Sequence, residues 1–103
     1  MIRGTTPTLQ FNLPIATSTI KAAEVVVQYV DNNKETTILK TLGDCVVGEK
    51  TITARLTQEE TLKLPAPSTV SIQLRVLTKD GTALATEVQE VPVKRLLKED
   101  VIQ

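Results

Sequence analysis

Two pairs of adjacent carboxylates, Glu59 with Glu60 and Glu99 with Asp100, one thiol at Cys45 and a basic group at Lys94, Arg95 and Lys98 are the side chains that could do chemistry in this chain. Two carboxylates at one site can divide acid and base roles, as in glycoside hydrolysis. Neighbours on a strand point to opposite faces, and neighbours on a helical turn diverge by about 100 degrees, so neither pair converges on one substrate atom. Both pairs are expected to be solvated surface charge. The chain has no His and one Cys. Triads with a His base therefore cannot be assembled, and the common zinc sites are short of ligands. Cys45 stands in a CVV run that reads as strand, and with no base to activate it a buried small hydrophobe is expected.

Asp80 and Gly81 put one carboxylate in a tight turn, far short of the roughly six or more oxygen ligands that calcium takes. The glycines at 4, 43, 48 and 81 fall at predicted turns or near a terminus, and none forms a phosphate-cradling loop. Lys94, Arg95 and Lys98 are interrupted by Leu96 and Leu97, the pattern of an amphipathic docking tail rather than a nucleic-acid patch. No catalytic residue, cofactor site or metal site is expected, and a binding or structural module is favoured over an enzyme.

One spacing does have a definite local outcome. In LTQEETLKL, Thr57 followed three residues later by Glu60 is a capping box, which satisfies free amide groups at the start of a helix. Pro65 stops that helix from growing. A single turn near Thr57 to Lys63 is predicted, with Leu62 and Leu64 plugged into the core and Glu59 and Glu60 in solvent. Such a turn serves as a corner where the chain crosses between sheets.

The elements around that corner alternate with period two. At 103 residues the chain has the length of one domain, and Thr, Val and Ile, the residues that suit a pleated sheet, make up roughly a third of it. TLQFNL sets Leu9, Phe11 and Leu13 against polar neighbours, and PIATSTIKAA reads as a loop or an irregular crossing. AEVVVQYVD is apolar on both faces, with Val25, Val27 and Tyr29 on one and Val26 and Val30 on the other. A strand of that kind is central, or is covered on its outer face by something else, such as another subunit. TTILKTL and DCVVG follow as strands, then TITARL with Ile52, Ala54 and Leu56 inward. TVSIQLRVL and ALATEVQEVPV form a hairpin through Asp80 and Gly81, the second strand pairing until Pro92. Seven or eight short strands without a long helix predict an all-β, immunoglobulin-like two-sheet β-sandwich, with a small barrel as the alternative.

Composition narrows the partners. Lys and Arg number 12, matched by 12 Asp and Glu, so the clustered positive charge that binds nucleic acid or anionic membranes is lacking. Phe11 and Tyr29 are the only aromatic residues, which weakens base-stacking and sugar-binding readings. With one Cys no intrachain disulfide can form. The opening MIRGTTPTLQF has no apolar stretch of signal-peptide length, and nothing approaches the roughly 20 apolar residues of a membrane span. Synthesis and folding in a reducing cytosol are expected.

The succession RGTTPTLQFNLP, IKAAEVVVQY, LTQEETLKL, IQLRVLTKDGTALAT and a final LL and DVI resembles small virion proteins of phages and prophages of Gram-positive gut bacteria. It is similar in its order of features to the immunoglobulin-like N-terminal domain of phage baseplate upper proteins, over essentially the whole chain. The resemblance implies a structural protein of the virion, made in the host cytoplasm: a tail or baseplate component or a fibre adaptor, with capsid decoration or a head-fibre anchor as the alternative. A carbohydrate-binding module is more remote. The implied partners are other phage structural proteins and copies of itself, with no nucleic acid, membrane or small-molecule substrate. The single domain, residues 1–103, would carry short terminal arms, MIRGTT and LLKEDVIQ, that order on a neighbour.

Overall fold

The alternating segments pair into two antiparallel sheets whose apolar rows face each other. The computed structural model describes residues 1–98 and 101–102. Within them the strands are β1 (Thr8–Asn12), β2 (Ile20–Asp31), β3 (Lys34–Thr41), β4 (Val46–Val47), β5 (Thr51–Arg55), β6 (Ser68–Thr78), β7 (Ala83–Ala85) and β8 (Gln89–Val93). One sheet has the order β1-β5-β4; the other runs β3-β2-β6-β7, with β8 also on β6. A short helix, α1 (Gln58–Leu62), carries the chain from β5 in the first sheet to β6 in the second. The fold is a two-sheet β-sandwich of eight strands among the described residues.

Period-two patterning explains the core. Val25, Val27 and Tyr29 of β2 and Val70, Ile72, Leu74 and Val76 of β6 point inward. Ile52 and Ala54 of β5, and Leu56 just beyond it, meet them from the other sheet. Full burial of a Leu or Ile stabilises by about 1.5 to 3 kcal/mol. Register is fixed by the same rows, because a slip of one residue would turn every inward side chain to solvent. Thus Val27 lies opposite both Ile38 of β3 and Ile72 of β6.

Four local expectations are corrected. The predicted loop PIATSTIKAA is a 3-10 turn at Thr17–Thr19 followed at once by β2, which starts at Ile20. Ile20 is buried and the register with β6 shifts between it and Ala22, an irregularity that hides the period in the sequence. DCVVG is not a full strand. Leu42–Asp44 is a second 3-10 turn, because the Asp44 carboxylate accepts the Thr41 amide at 2.9 Å and its hydroxyl at 3.0 Å; only Val46 and Val47 reach β5. The returning strand after Gly81 is broken into β7 and β8. At the break, the Thr86 hydroxyl takes the Leu74 amide at 3.0 Å. Finally, Pro92 does not end the pairing, since β8 runs through it to Val93 opposite Ser68; an outer strand tolerates a missing N–H.

Candidate functional site

The corner at α1 gathers more distant parts of the chain than any motif in the sequence announces. Thr57 is its N-cap: the Thr57 hydroxyl accepts the Glu60 amide at 3.1 Å, and Glu60 Oε1 accepts the Thr57 amide at 2.8 Å. Glu60 is not in solvent as expected. Lys40 stands opposite Val25 on the inward row of β3, so its side chain runs under the sheet to the helix. Lys40 Nζ sits 2.7 Å from Glu60 Oε1, with the two side chains only 15% and 23% exposed. Burial pushes the Glu60 carboxyl up, but the Lys40 ammonium and the Thr57 amide outweigh it and hold it below the ordinary glutamate value. Glu59 is exposed, so the two carboxylates diverge as their adjacency requires.

Both ends of the chain meet the same helix. The Thr61 hydroxyl, fully buried, donates to the Thr5 carbonyl at 2.7 Å. Arg3 Nε donates at 3.0 Å to the Leu62 carbonyl, one of the acceptors a helix end leaves unpaired. Gly4 between them has φ +78, the left-handed backbone that favours glycine, and a Cβ there would lie 2.6 Å from a Leu96 methyl and 3.1 Å from one of Leu62. The segment is secured further by the Lys94 amide on the Met1 carbonyl and the Arg3 amide on the Lys94 carbonyl, at 2.8 and 3.1 Å. The Gln58 side-chain amide donates to the Ile102 carbonyl at 3.2 Å and accepts its N–H at 2.8 Å.

MIRGTT is therefore no free arm; it is held by its own chain. In the C-terminal segment, Leu96 turns in towards Gly4 and Leu62 while Leu97 is exposed. The expected docking tail thus uses one of its two leucines on its own corner. Lys94 bridges to Ile2. Glu99 and Asp100 lie outside the described residues.

The remaining candidates are committed internally as well. At the β6–β7 turn the Asp80 carboxylate accepts the Thr78 hydroxyl and, at 3.1 Å, the Thr82 amide. These hydrogen bonds hold its carboxyl below the usual aspartate range. Gly81 has φ +91, which the tight turn requires. Beside it lies a cleft of about 570 Å³ that mixes apolar Ile15, Ala16 and Leu84 with polar residues of the turn, Asp80 among them, whose Oδ1 is taken up by the turn itself. Cys45 is half-buried rather than buried, its thiol donating to the Thr41 carbonyl at 3.3 Å. Burial, with the nearby Asp44 charge, pushes that thiol up, away from reactivity.

Large apolar side chains stay exposed at several places among the described residues, Val46 of β4 at 74% among them, and also on the outer face of the larger sheet. Val30 of β2 is 60% exposed and Leu39 of β3 49% exposed, and Leu39 stands directly opposite Val26. Tyr29 is 6% exposed and Phe11 half-buried, so neither ring forms an open stacking platform. No protein-family model matches the chain, and no curated protein or solved structure does so either.

Proposed function

We propose that this chain is a non-enzymatic structural protein of a phage virion, a tail or baseplate component or a fibre adaptor, that assembles through its β-sandwich. The observation that supports the reading is a contrast in commitment. Side chains that could do chemistry are tied to partners inside the fold: Glu60 to Lys40, Asp80 to its turn, Cys45 to a carbonyl. Val30 and Leu39, by contrast, are spent on an outer face, where exposed apolar side chains suit contact with another protein. The balanced charge suits close packing of many copies.

Mass spectrometry of purified particles, with antibody labelling in electron microscopy, tests the proposal. Presence at the tail or baseplate is expected. Labelling on the head would move the role to capsid decoration, and absence from every particle would remove the virion reading altogether.

A further inference from the structure

The outer edge of β3 is open among the described residues. Asn32 and Asn33 both have positive φ, 51 and 63, the two-residue turn that makes Asp31 and Lys34 a hydrogen-bonded pair. Antiparallel pairs alternate, so Thr36, Ile38 and Lys40 spend their main-chain groups on β2. Glu35, Thr37 and Leu39 point theirs away from the sheet. The Thr41 amide is already taken by Asp44, so the open stretch runs from Glu35 to Leu39.

The other edges are short or interrupted by proline, whereas β3, although it carries charges with Lys40 turned inward, is long and continuous. β1 is flanked by Pro7 and Pro14, β4 has two residues, β7 has three, and β8 contains Pro92. β3 spans 8 residues with no proline, and no strand pairs with its outer side among the described residues.

From this we infer that two copies join β3 to β3 about a two-fold axis, with Ile38 opposite Ile38. The choice of register follows from side chains. Residues on one face can meet only residues on the same face, which leaves the axis at Thr37 or at Ile38 as the central choices. An axis at Thr37 sets the Glu35 carboxylate against the apolar Leu39 and keeps the two Ile38 side chains apart, while the Lys40 ammonium is already held by Glu60. An axis at Ile38 sets Lys40 against Thr36 and Glu35 against Thr41, with no like-charge pair.

In that register Thr37 of each copy exchanges main-chain bonds with Leu39 of the other. The half-buried Ile38 side chains meet at a closely spaced pair, with Cα atoms about 4.5 Å apart, extending the Val27–Ile38 row from one core to the next. The exposed Leu39 side chains become diagonal neighbours across the junction, within about 8 Å. Such an isologous contact closes on itself and stops at the dimer. The inference rests on the assembly reading and names its first step.

Light scattering of the purified protein over a concentration series tests it first. The mass should climb from 11.2 kDa towards twice that value, and a protein that is still a monomer at about 1 mM overturns the inference. Thr37→Pro removes an outward N–H without touching the bonds to β2, so it should halve the mass while the circular dichroism stays unchanged. A dimer that survives it uses another surface, and the inference falls.

Should that variant fail to fold, Ile38→Cys on a Cys45→Ala background gives an independent reading. Across the axis it should oxidise to a disulfide-linked dimer, the Cα separation being within disulfide range. Glu35→Cys, more exposed but remote from the axis, should cross-link far more slowly; equal rates would overturn the register. Failure to pair in a protein still found in particles sinks this inference alone, whereas absence from particles sinks the virion reading.

Discussion

Two stretches of this chain carry the same local device, Thr57 with Glu60 and Thr41 with Asp44, and they end up with unequal weight. In both, a carboxylate three residues on reaches back to the threonine amide, at 2.8 Å in the first and 2.9 Å in the second. Around Thr57 the fold adds Lys40 on the carboxylate, Thr61 on the N-terminal segment, and a buried Leu64 just past the helix. Around Thr41 it adds half-buried Cys45 and Leu42 and little else. Local hydrogen bonding thus shapes both turns, but tertiary contacts make only one of them a keystone.

The largest test of this contrast is Leu64→Ala. Emptying a fully buried site beside α1 should cost about 3 kcal/mol in denaturant unfolding, whereas Leu42→Ala beside the other turn should cost less than half as much. Similar losses would mean that the two turns are anchored alike.

Next comes Glu60→Ala, expected to cost about 1 to 2 kcal/mol, since it removes the reciprocal cap and leaves Lys40 half-buried without its partner. A double-mutant cycle with Lys40→Met isolates the pair; a coupling energy near zero would show that Lys40 adds nothing to the box.

The same carboxylate gives a pH test with a definite sign. Glu60 has its pKa lowered in the folded state, so its contribution is fully present above the ordinary glutamate value, about 4.3, and is lost as pH falls through the lower folded value. Wild type should therefore lose more stability than Glu60→Gln between neutral pH and about pH 3. Parallel losses would remove Glu60 from the acid response.

Thr57→Ala should cost about 1 kcal/mol, the usual value of a helix cap. Asp44→Asn should have the smallest effect, a melting shift below that of Thr57→Ala, because its carboxylate is open to water and serves one turn. A larger shift for Asp44→Asn would reverse the ranking of the two boxes.

Why the two boxes were unequally legible is instructive. Thr57-Gln58-Glu59-Glu60 matches the Ser/Thr-to-Glu pattern and precedes Leu62 and Leu64, so it announces itself as a helix start. Thr41-Leu42-Gly43-Asp44 has the shorter Asp in place of Glu, and it sits between apolar runs that read as strands. The inward residues Val25, Val27, Ile52, Ala54, Leu56, Val70, Ile72 and Leu74 were all readable from alternation, and each is buried. Cys45 is half-buried although its run reads as a buried strand, because an apolar run says nothing about whether an element lies at a sheet's centre or at its rim.

Alternation of side chains along a strand is a property of two neighbouring peptide units, so composition and order sufficed to specify an all-β sandwich, its inward rows, the Asp80–Gly81 hairpin and the helical corner. No such short-range rule could place Lys40 under Glu60, Arg3 on the Leu62 carbonyl, Gly4 between Leu62 and Leu96, or Gln58 on Ile102. Those pairings join residues from 20 positions apart, Lys40 and Glu60, to 92, Gly4 and Leu96. They exist only once the two sheets have closed, because only then does the chain bring its ends and its β3 lysine to one short helix.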